Sequence, residues 1–239
     1  MSISVILPSY SEAENLEKLL PYLVSKLEKI STDFEVLVVD TMFGVDNSER
    51  IANDNDCTYL NRESGNNYGD AIRTGILKAK FDKILVMDAD GSHDSKYIKF
   101  FYENMTNKNY DLIIGSRYVD GGGTDNTPLL KAMSFILNWT YKFVFKIKLH
   151  DISNSFRLYD ASLLKKLELE CDNFDIVEEI LIKLFIAKKD LKVLEYPIFF
   201  NVRRFGHSKR NLFKFIFSYI TTIKKLYNIQ KKQRRGIKW

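Results

Sequence analysis

Short apolar runs alternate along the chain with longer segments whose apolar residues recur every three or four positions. The runs predict buried strands over residues 2–7, 34–39, 58–60, 83–87, 111–115 and 193–196. The longer segments predict helices over residues 13–30, 47–55, 69–79, 96–105, 129–149, 174–187 and 212–227. Strands that alternate with helices as far as residue 118 predict an α/β fold, a mostly parallel twisted sheet flanked by helices.

The strand predicted over residues 83–87 runs directly into Asp88-Ala89-Asp90. Because side chains alternate along a strand, Asp88 and Asp90 are expected to project to one side. Two carboxylates at the carboxyl end of a parallel strand suit a hard divalent cation, and ligands bind at this edge of open α/β sheets. A solvated loop just past a strand is the alternative explanation for a bare Asp-x-Asp.

Other polar residues follow the remaining predicted strands. Pro8, Tyr10 and Glu12 follow the first strand, Asp40 ends the second, and Arg117 follows the strand at 111–115. The glycine-containing segment 65–71 approaches the start of a predicted helix, where a phosphate group can bind. A capped turn or a solvated surface charge explains each of these features equally well when it is taken alone.

The pattern changes after the triple glycine at 121–123. Residues 129–149 are rich in aromatic residues and interrupted by lysines, and residues 212–220 are strongly apolar. The last sixteen residues contain seven basic side chains and no acidic one. We therefore expect one main domain over 1–210 and an amphipathic helix with a basic tail over 211–239, held at an anionic lipid surface. Ordinary core packing and a merely solubilising terminus are the alternatives.

Length, composition and charge indicate where in the cell the protein acts. The 239 residues suffice for one large domain or two small ones, and the formal net charge is +5. Two cysteines provide neither a disulfide framework nor a metal-like spacing, which fits a reducing compartment. A secretory signal is not expected, and no apolar run approaches the roughly 20 residues that span a bilayer. These features favour a cytoplasmic protein, peripherally associated with the cytoplasmic face of a membrane.

Taken in order, the motifs resemble the family 2 glycosyltransferases, nucleotide-sugar-dependent enzymes with the GT-A fold. Within that family they are most similar to the dolichyl- or polyprenyl-phosphate mannosyltransferase branch. The resemblance spans roughly residues 3–210. The segments that support it are 8–15, 38–40, 87–93, 115–118 with the triple glycine, Ser134, Asn138, Asp151, 155–157, Arg203 and 206–209.

The resemblance implies a role for particular residues. Asp88 and Asp90 would hold Mg²⁺ or Mn²⁺ against the diphosphate of the donor. The implied catalytic residues are Asp90, Arg117 and Arg203. The implied nucleotide-sugar-binding residues are Pro8, Tyr10, Glu12, Asp40, Asp88, Ala89 and Asp90. The residues implied to bind the acceptor phosphate are Arg117, Ser134, Arg157, Arg203 and Lys209.

The implied reaction transfers mannose or a related hexose from GDP-mannose or a UDP-hexose to a polyprenyl or dolichyl phosphate. A phosphate monoester is largely ionised near neutral pH, since its second pKa is about 6, and it needs no strong general base. Its direct attack on the anomeric carbon inverts configuration, so GDP-mannose would give a β-linked product. The implied partners are the donor, the lipid phosphate, the membrane surface and an integral membrane protein.

Several residues depart from the family pattern. Thr41 replaces a usual acidic residue, Asn154 stands where serine is common, and Val202 precedes Arg203 where an acidic residue is usual. Gly91 and Val177 also differ from the residues usually found there. These departures leave the nucleobase and the handling of the acceptor open.

Two other functions are consistent with the sequence. One is a family 2 transferase acting on a glycan or sugar hydroxyl, which needs a carboxylate base; Glu178, Glu179 and Asp151 are the candidates. The other is a non-catalytic module that binds a nucleotide, or a nucleic acid through the basic tail. Nucleic acid is not the partner we expect.

Overall fold

The computed structural model describes residues 2–30, 33–203, 205 and 212–235, without the side chains of residues 212–217. Its strands are β1 (Ser2–Pro8), β2 (Asp33–Asp40), β3 (Thr58–Asn61), β4 (Lys83–Val86), β5 (Leu112–Ser116), β6 (Gly123–Thr124), β7 (Arg157–Asp160), β8 (Val193–Pro197) and β9 (Phe199–Phe200). Its helices are α1 (Ala13–Leu27), α2 (Ser48–Asp54), α3 (Tyr68–Lys78), α4 (Ile98–Lys108), α5 (Pro128–Phe145), α6 (Ala161–Leu164), α7 (Ile176–Ala187) and α8 (Leu212–Arg234).

Seven of these strands form one sheet in the order β3-β2-β1-β4-β7-β5-β8. All neighbours are parallel except β7, which runs antiparallel to both β4 and β5. The short strands β6 and β9 pair separately. The predicted α/β fold with a mostly parallel sheet is confirmed. The sequence pattern missed β7, because it is only four residues long and begins with an arginine.

The sheet is covered on both faces, as alternation along its strands requires. Ile6 of β1 packs into the apolar cluster formed with α3, α5, α7 and α8. Its neighbours Val5 and Leu7 pack into the cluster on the opposite face, with α1 and α4. The parallel strands therefore end together at one edge, with a helical layer on either side.

Helices α7 and α8 pack against each other in one of these layers. Ten of the twelve residues of α7 are buried, including the ion pair of Lys183 and Glu179 at 2.8 Å. Helix α8 packs onto the protein through the buried side chains of Tyr219, Thr222 and Leu226. The helix predicted to be amphipathic thus buries one face against the rest of the chain.

The contact between α3 and β1 allows a direct test of the packing. A Cβ atom added at Gly75 would lie 2.5 Å from Cγ2 of Ile6. In an open helix, glycine to alanine gains about 1 kcal/mol. Here we expect Gly75→Ala to lower the free energy of unfolding by about 1–3 kcal/mol, because the added methyl overlaps a buried side chain.

Urea unfolding of Gly75→Ala, Ile6→Ala and the double variant measures this effect. The cost of Gly75→Ala should shrink or reverse in the Ile6→Ala background, since the overlapping atoms are gone. Strictly additive costs would show that the two residues are not in this contact.

Candidate functional site

The carboxyl ends of the parallel strands open into a cavity of about 660 Å³. Nine residues predicted for the site line it: Pro8, Tyr10, Glu12, Asp88, Ala89, Asp90, Arg117, Ser134 and Arg203. They come from the ends of β1, β4 and β5, from α5 and from the chain after β9. The topology therefore gathers residues as far apart in the sequence as Pro8 and Arg203.

Asp88 and Asp90 lie in a tight turn beyond β4. Gly91 has φ of +78°, which lets the chain reverse at that point. The Ser92 amide then donates to Oδ1 of Asp90 at 3.0 Å. Oδ1 of Asp88 accepts from the hydroxyls of Tyr68 at 3.3 Å and Ser155 at 3.0 Å. Neither carboxylate forms an ion pair with any residue that the structure describes.

The turn fits a divalent cation that is shared with a diphosphate. Asp88 and Asp90 supply carboxylate oxygens, and the buried Ser92 hydroxyl on the cavity wall has no hydrogen-bond partner within the described residues. No group of three or more His, Cys, Asp and Glu side chains suited to a metal occurs in that part of the chain. The donor set matches Mg²⁺, which proteins bind through one or two carboxylates together with substrate phosphates and water.

Arg117 lies on the cavity wall in a buried network. Its Nε and Nη2 atoms each donate to Asp151 at 2.7 Å, and Nη2 also contacts Ser134 at 3.2 Å and Ser153 at 2.8 Å. Burial opposes the charge, but the Asp151 carboxylate raises the pKa of Arg117 above its ordinary value. The arginine is therefore fixed in position and charged, in a pair whose net charge is near zero.

A second ion pair crosses the cavity. Nη2 of Arg203 lies 2.5 Å from Oε1 of Glu12, and the other Glu12 oxygen accepts from Asn15 at 2.6 Å. This pair links the start of α1 to the chain after β9. Lys209, also predicted to bind phosphate, lies outside the described residues.

At the ends of β2 and β3, the residues that line the cavity are not those predicted for the nucleotide pocket. Asp40 is fully buried and is not among the residues that line the cavity. Its carboxylate accepts from the Thr41 amide at 2.8 Å and from Tyr59 at 3.3 Å, and burial raises its pKa. Arg62, which directly follows β3, lines the cavity instead and donates to the Ser9 carbonyl at 2.5 Å.

Arg157 also differs from its predicted role. It is completely buried, and its guanidinium donates to the carbonyls of Asn154 at 2.8 Å, Val177 at 2.7 Å and Ile152. Each nitrogen is thus already bonded to backbone, and the side chain does not reach the cavity. The prediction that Arg157 binds the acceptor phosphate is corrected: this arginine holds the loop 152–154 in place.

The sequence also missed an apolar wall on one side of the cavity. Helix α5 contributes Leu130, Met133 and Leu137. The other residues are Phe174, just before α7, Val177 in α7 and Tyr219 in α8. The amphipathic pattern of these helices showed that they bury one face, but it did not show that part of that face lines a cavity. The cavity therefore has a charged end at the strands and an apolar side at the helices.

None of the three carboxylates considered as a base is open to the cavity. Asp151 is paired with Arg117, and Glu179 is paired with Lys183 and accepts from the Cys171 amide at 2.8 Å. Glu178 is fully buried, and burial raises its pKa to about 8, although Arg157 acts in the opposite direction. Glu178 is thus a neutral acid near pH 7.

Comparison with solved structures identifies the fold class. The glucosyl-3-phosphoglycerate synthase of Mycobacterium tuberculosis, solved with Mn²⁺, UDP and glucosyl-3-phosphoglycerate, superimposes with a TM-score of 0.69. The match covers 99% of this chain and 80% of that one, at 16% sequence identity. The fold is that of the GT-A glycosyltransferases.

Comparison of sequences gives the family. The model of glycosyl transferase family 2 matches residues 4–168, so the chain belongs to this family and is a glycosyltransferase. The dolichol-phosphate mannosyltransferase of Pyrococcus furiosus is 31% identical over 232 residues, 95% of this chain and 64% of that protein. The polyprenol monophosphomannose synthase of Mycolicibacterium smegmatis is 29% identical, over 86% of this chain and 79% of that protein.

The raised pKa of Glu178 predicts a pH-dependent stability. Between its ordinary value of 4.5 and about 8, the unfolded chain releases this proton while the folded protein keeps it. The free energy of unfolding therefore falls as pH rises through that window, by up to about 1.4 kcal/mol per unit. Glu178→Gln cannot ionise, so we expect it to gain stability relative to the wild type from about pH 5 to 8.

Urea unfolding at several pH values in that window measures the difference. Glu28→Gln, at an exposed position, serves as the matched control and should follow the wild type. If the free energy of unfolding of Glu178→Gln also varies with pH as that of the wild type does, Glu178 is ionised in the folded protein and the interpretation is wrong.

Proposed function

We propose that this protein transfers mannose or a related hexose from a nucleotide sugar to a polyprenyl phosphate at a membrane surface, with inversion of configuration. The relatives named above support the class of acceptor and of sugar. The two-sided cavity is the observation that carries the proposal. Its charged end suits a diphosphate and a phosphate, and its apolar side suits a prenyl chain.

The charges around the cavity support a phosphate acceptor over a hydroxyl acceptor. A hydroxyl needs a general base, whereas Asp151, Glu178 and Glu179 are all buried away from that role. A phosphate brings its own negative charge and needs fixed cations to guide it. Arg117 and Arg203 line the cavity, and a charged guanidinium donates strong hydrogen bonds to phosphate oxygens.

Asp88 and Asp90 would hold the divalent cation, Mg²⁺ or Mn²⁺. When bound, that cation neutralises charge on the departing nucleoside diphosphate. Arg203 would exchange Glu12 for a phosphate oxygen, and Arg117, fixed by Asp151, would orient the acceptor without moving. Lys209 and the neighbouring segment 206–208 stay predictions for the same role.

The outer face of α5 supports the membrane part of the proposal. Its most exposed large apolar side chains are those of Leu129, Phe135, Ile136, Trp139 and Phe143. Lysines accompany them at positions 131, 142, 146 and 148, and residues 127–149 include no acidic residue. The inner face of the same helix lines the apolar side of the cavity. A lipid surface on this face would thus meet the cavity directly.

No helix in the described part of the chain is long and apolar enough to cross a membrane. We propose peripheral attachment at the cytoplasmic face because of the exposed apolar side chains and the lysines of α5. The exposed basic side chains at the end of α8 would add electrostatic attraction to anionic lipid. An integral membrane partner is a further part of the proposal.

A transfer assay tests the proposed reaction. The protein is offered GDP-mannose, UDP-glucose and related donors with Mg²⁺ or Mn²⁺, and with either polyprenyl phosphate or a free oligosaccharide. We expect lipid-linked sugar from at least one donor and none on the oligosaccharide. Product on the oligosaccharide alone would favour the hydroxyl transferase. Binding of nucleotide without any product would favour a non-catalytic module.

The same assay tests the acidic pair. Asp90→Asn removes a charge from the proposed cation site and should lower turnover at least about 100-fold with the fold intact. Asp94→Asn is the matched control, because Asp94 lies in the same segment but outside the cavity, where it caps the turn before α4 at 2.9 Å. Equal turnover of the two variants would contradict the role of Asp90.

Vesicle sedimentation tests the membrane face. Phe135→Ser with Phe143→Ser should weaken binding to anionic vesicles about 10- to 100-fold, since two exposed aromatic side chains no longer insert. Leu77→Ser, at an equally exposed site on α3, should leave binding unchanged. Equal binding of the double variant and the Leu77 control would remove this face from the proposal.

The basic tail requires a separate variant. Deletion of residues 224–239 would also remove the buried Leu226, so we prefer glutamine at Lys231, Lys232, Arg234 and Arg235. Binding should then fall at low salt and lose much of its salt dependence. Unchanged salt dependence would exclude a role for these charges.

A further inference from the structure

A chain of hydrogen bonds behind the acidic turn gives a function to two residues that no step above uses. His93 and Asn154 are each 1% exposed. His93 follows Asp90 in the turn after β4, and Asn154 lies in the loop before β7. Together they connect the turn to the end of β5.

The first hydrogen bond fixes the state of the histidine ring. The Asp88 amide donates to Nδ1 of His93 at 3.0 Å. A ring nitrogen that accepts a hydrogen bond has no proton, so the proton of the neutral ring lies on Nε2. The ring also stacks on Phe156 with centroids 4.8 Å apart and meets the edge of Phe200 at 5.2 Å. Two aromatic contacts and one hydrogen bond hold its plane.

The remaining hydrogen bonds follow in one direction. Nε2 of His93 donates to Oδ1 of Asn154 at 3.0 Å, and Nδ2 of Asn154 donates to the Gly115 carbonyl at 2.5 Å. The Asn154 amide satisfies both ends, because its oxygen accepts and its nitrogen donates. The Asn154 carbonyl itself is held by Arg157. The position of Asn154, where the family pattern differs, is thus tied to strand β5.

We propose that His93 and Asn154 are positioning residues that hold the Asp88 backbone, and with it the pair Asp88 and Asp90, in the arrangement that receives the divalent cation and the diphosphate. This inference rests on the proposed function only for the identity of the ligand. Its physical basis is that residues behind metal ligands orient them, and that their loss commonly costs 10- to 100-fold in metal affinity.

Two substitutions of His93 separate positioning from simple packing. In His93→Asn, Oδ1 takes the place of Nδ1 and accepts from the Asp88 amide. In His93→Gln, the amide reaches the place of Nε2 instead, and the Asp88 amide loses its acceptor. Both variants replace the aromatic ring by an amide, so a role in packing alone would lower Mn²⁺ affinity by a similar factor in each. Asn154→Ala removes the partner of Nε2, and His150→Asn, at an exposed histidine, is the matched control.

Mn²⁺ binding in the presence of GDP or UDP is measured from the electron paramagnetic resonance of free Mn²⁺. We expect affinity to fall about tenfold or more in His93→Gln, where the Asp88 amide loses its acceptor, and less in His93→Asn and Asn154→Ala, which both lose only the hydrogen bond between His93 and Asn154. His150→Asn should bind Mn²⁺ like the wild type. Thermal unfolding of each variant identifies any that fail to fold. Equal affinities of the folded His93→Asn and His93→Gln proteins would overturn the proposal.

Nitrogen-15 spectra of the ring give a readout that does not depend on metal or turnover. The chain has three histidines, and comparison of the variants assigns the signals of His93. The wild type should show Nε2 protonated and Nδ1 unprotonated. Asn154→Ala should keep this tautomer, because the Asp88 amide still donates to Nδ1, but its Nε2 signal should shift, because the Nε2 proton loses its acceptor. A wild-type ring protonated on Nδ1 would overturn the proposal directly.

The outcomes distinguish this inference from the proposed function. Weaker Mn²⁺ binding in His93→Gln, in a protein that transfers no sugar to lipid phosphate, would refute the function and support the positioning. Transfer of sugar to lipid phosphate, with unaltered Mn²⁺ affinity in all variants, would support the proposed function and refute the positioning role. A wild-type protein that binds no Mn²⁺ with either nucleotide would overturn both.

Discussion

The guanidinium of Arg157 holds the loop on which both sides of the cavity depend. A buried charge is costly unless its hydrogen bonds are satisfied, and here three backbone carbonyls satisfy them. Two of these carbonyls belong to the loop before β7, and the third belongs to α7. The same loop supplies Ser155 to the acidic turn and Asn154 to His93. Arg157 thereby couples the sheet edge to the helical layer.

The charged side chains on the cavity wall differ in whether they form an ion pair within the protein. Arg117 is fixed by Asp151 in a buried ion pair, whereas the ion pair of Arg203 with Glu12 is more exposed and is the one that we propose a phosphate replaces. Asp88 and Asp90 have no cationic partner among the residues that the structure describes. These two carboxylates at the end of β4 are therefore the groups to which we propose that the divalent cation binds.

The sequence pattern predicted the parallel strands well, because strands buried on both faces are apolar throughout. It also located Asp88, Asp90 and Arg117, since each directly follows such a strand. It failed for β7, whose four residues include two charged ones, and for Arg157, because a motif does not show whether a side chain turns inward. The hydrogen bonds of His93 and the apolar wall depend on contacts between distant segments, which periodicity does not encode.

The charged end of the cavity is built from strand ends, whereas its apolar side is built from helices. Substitutions can therefore change one end without changing the other. The charged end is also set by side chains that bond to backbone. Half of the six residues of the apolar side, Leu130, Met133 and Leu137, belong to the single helix α5. For the acceptor that we propose, exchanging these three for larger or smaller apolar residues would alter the width of the path offered to the lipid while the charged end keeps its geometry. The fold thus lets the shape of the apolar side vary independently of the charged end.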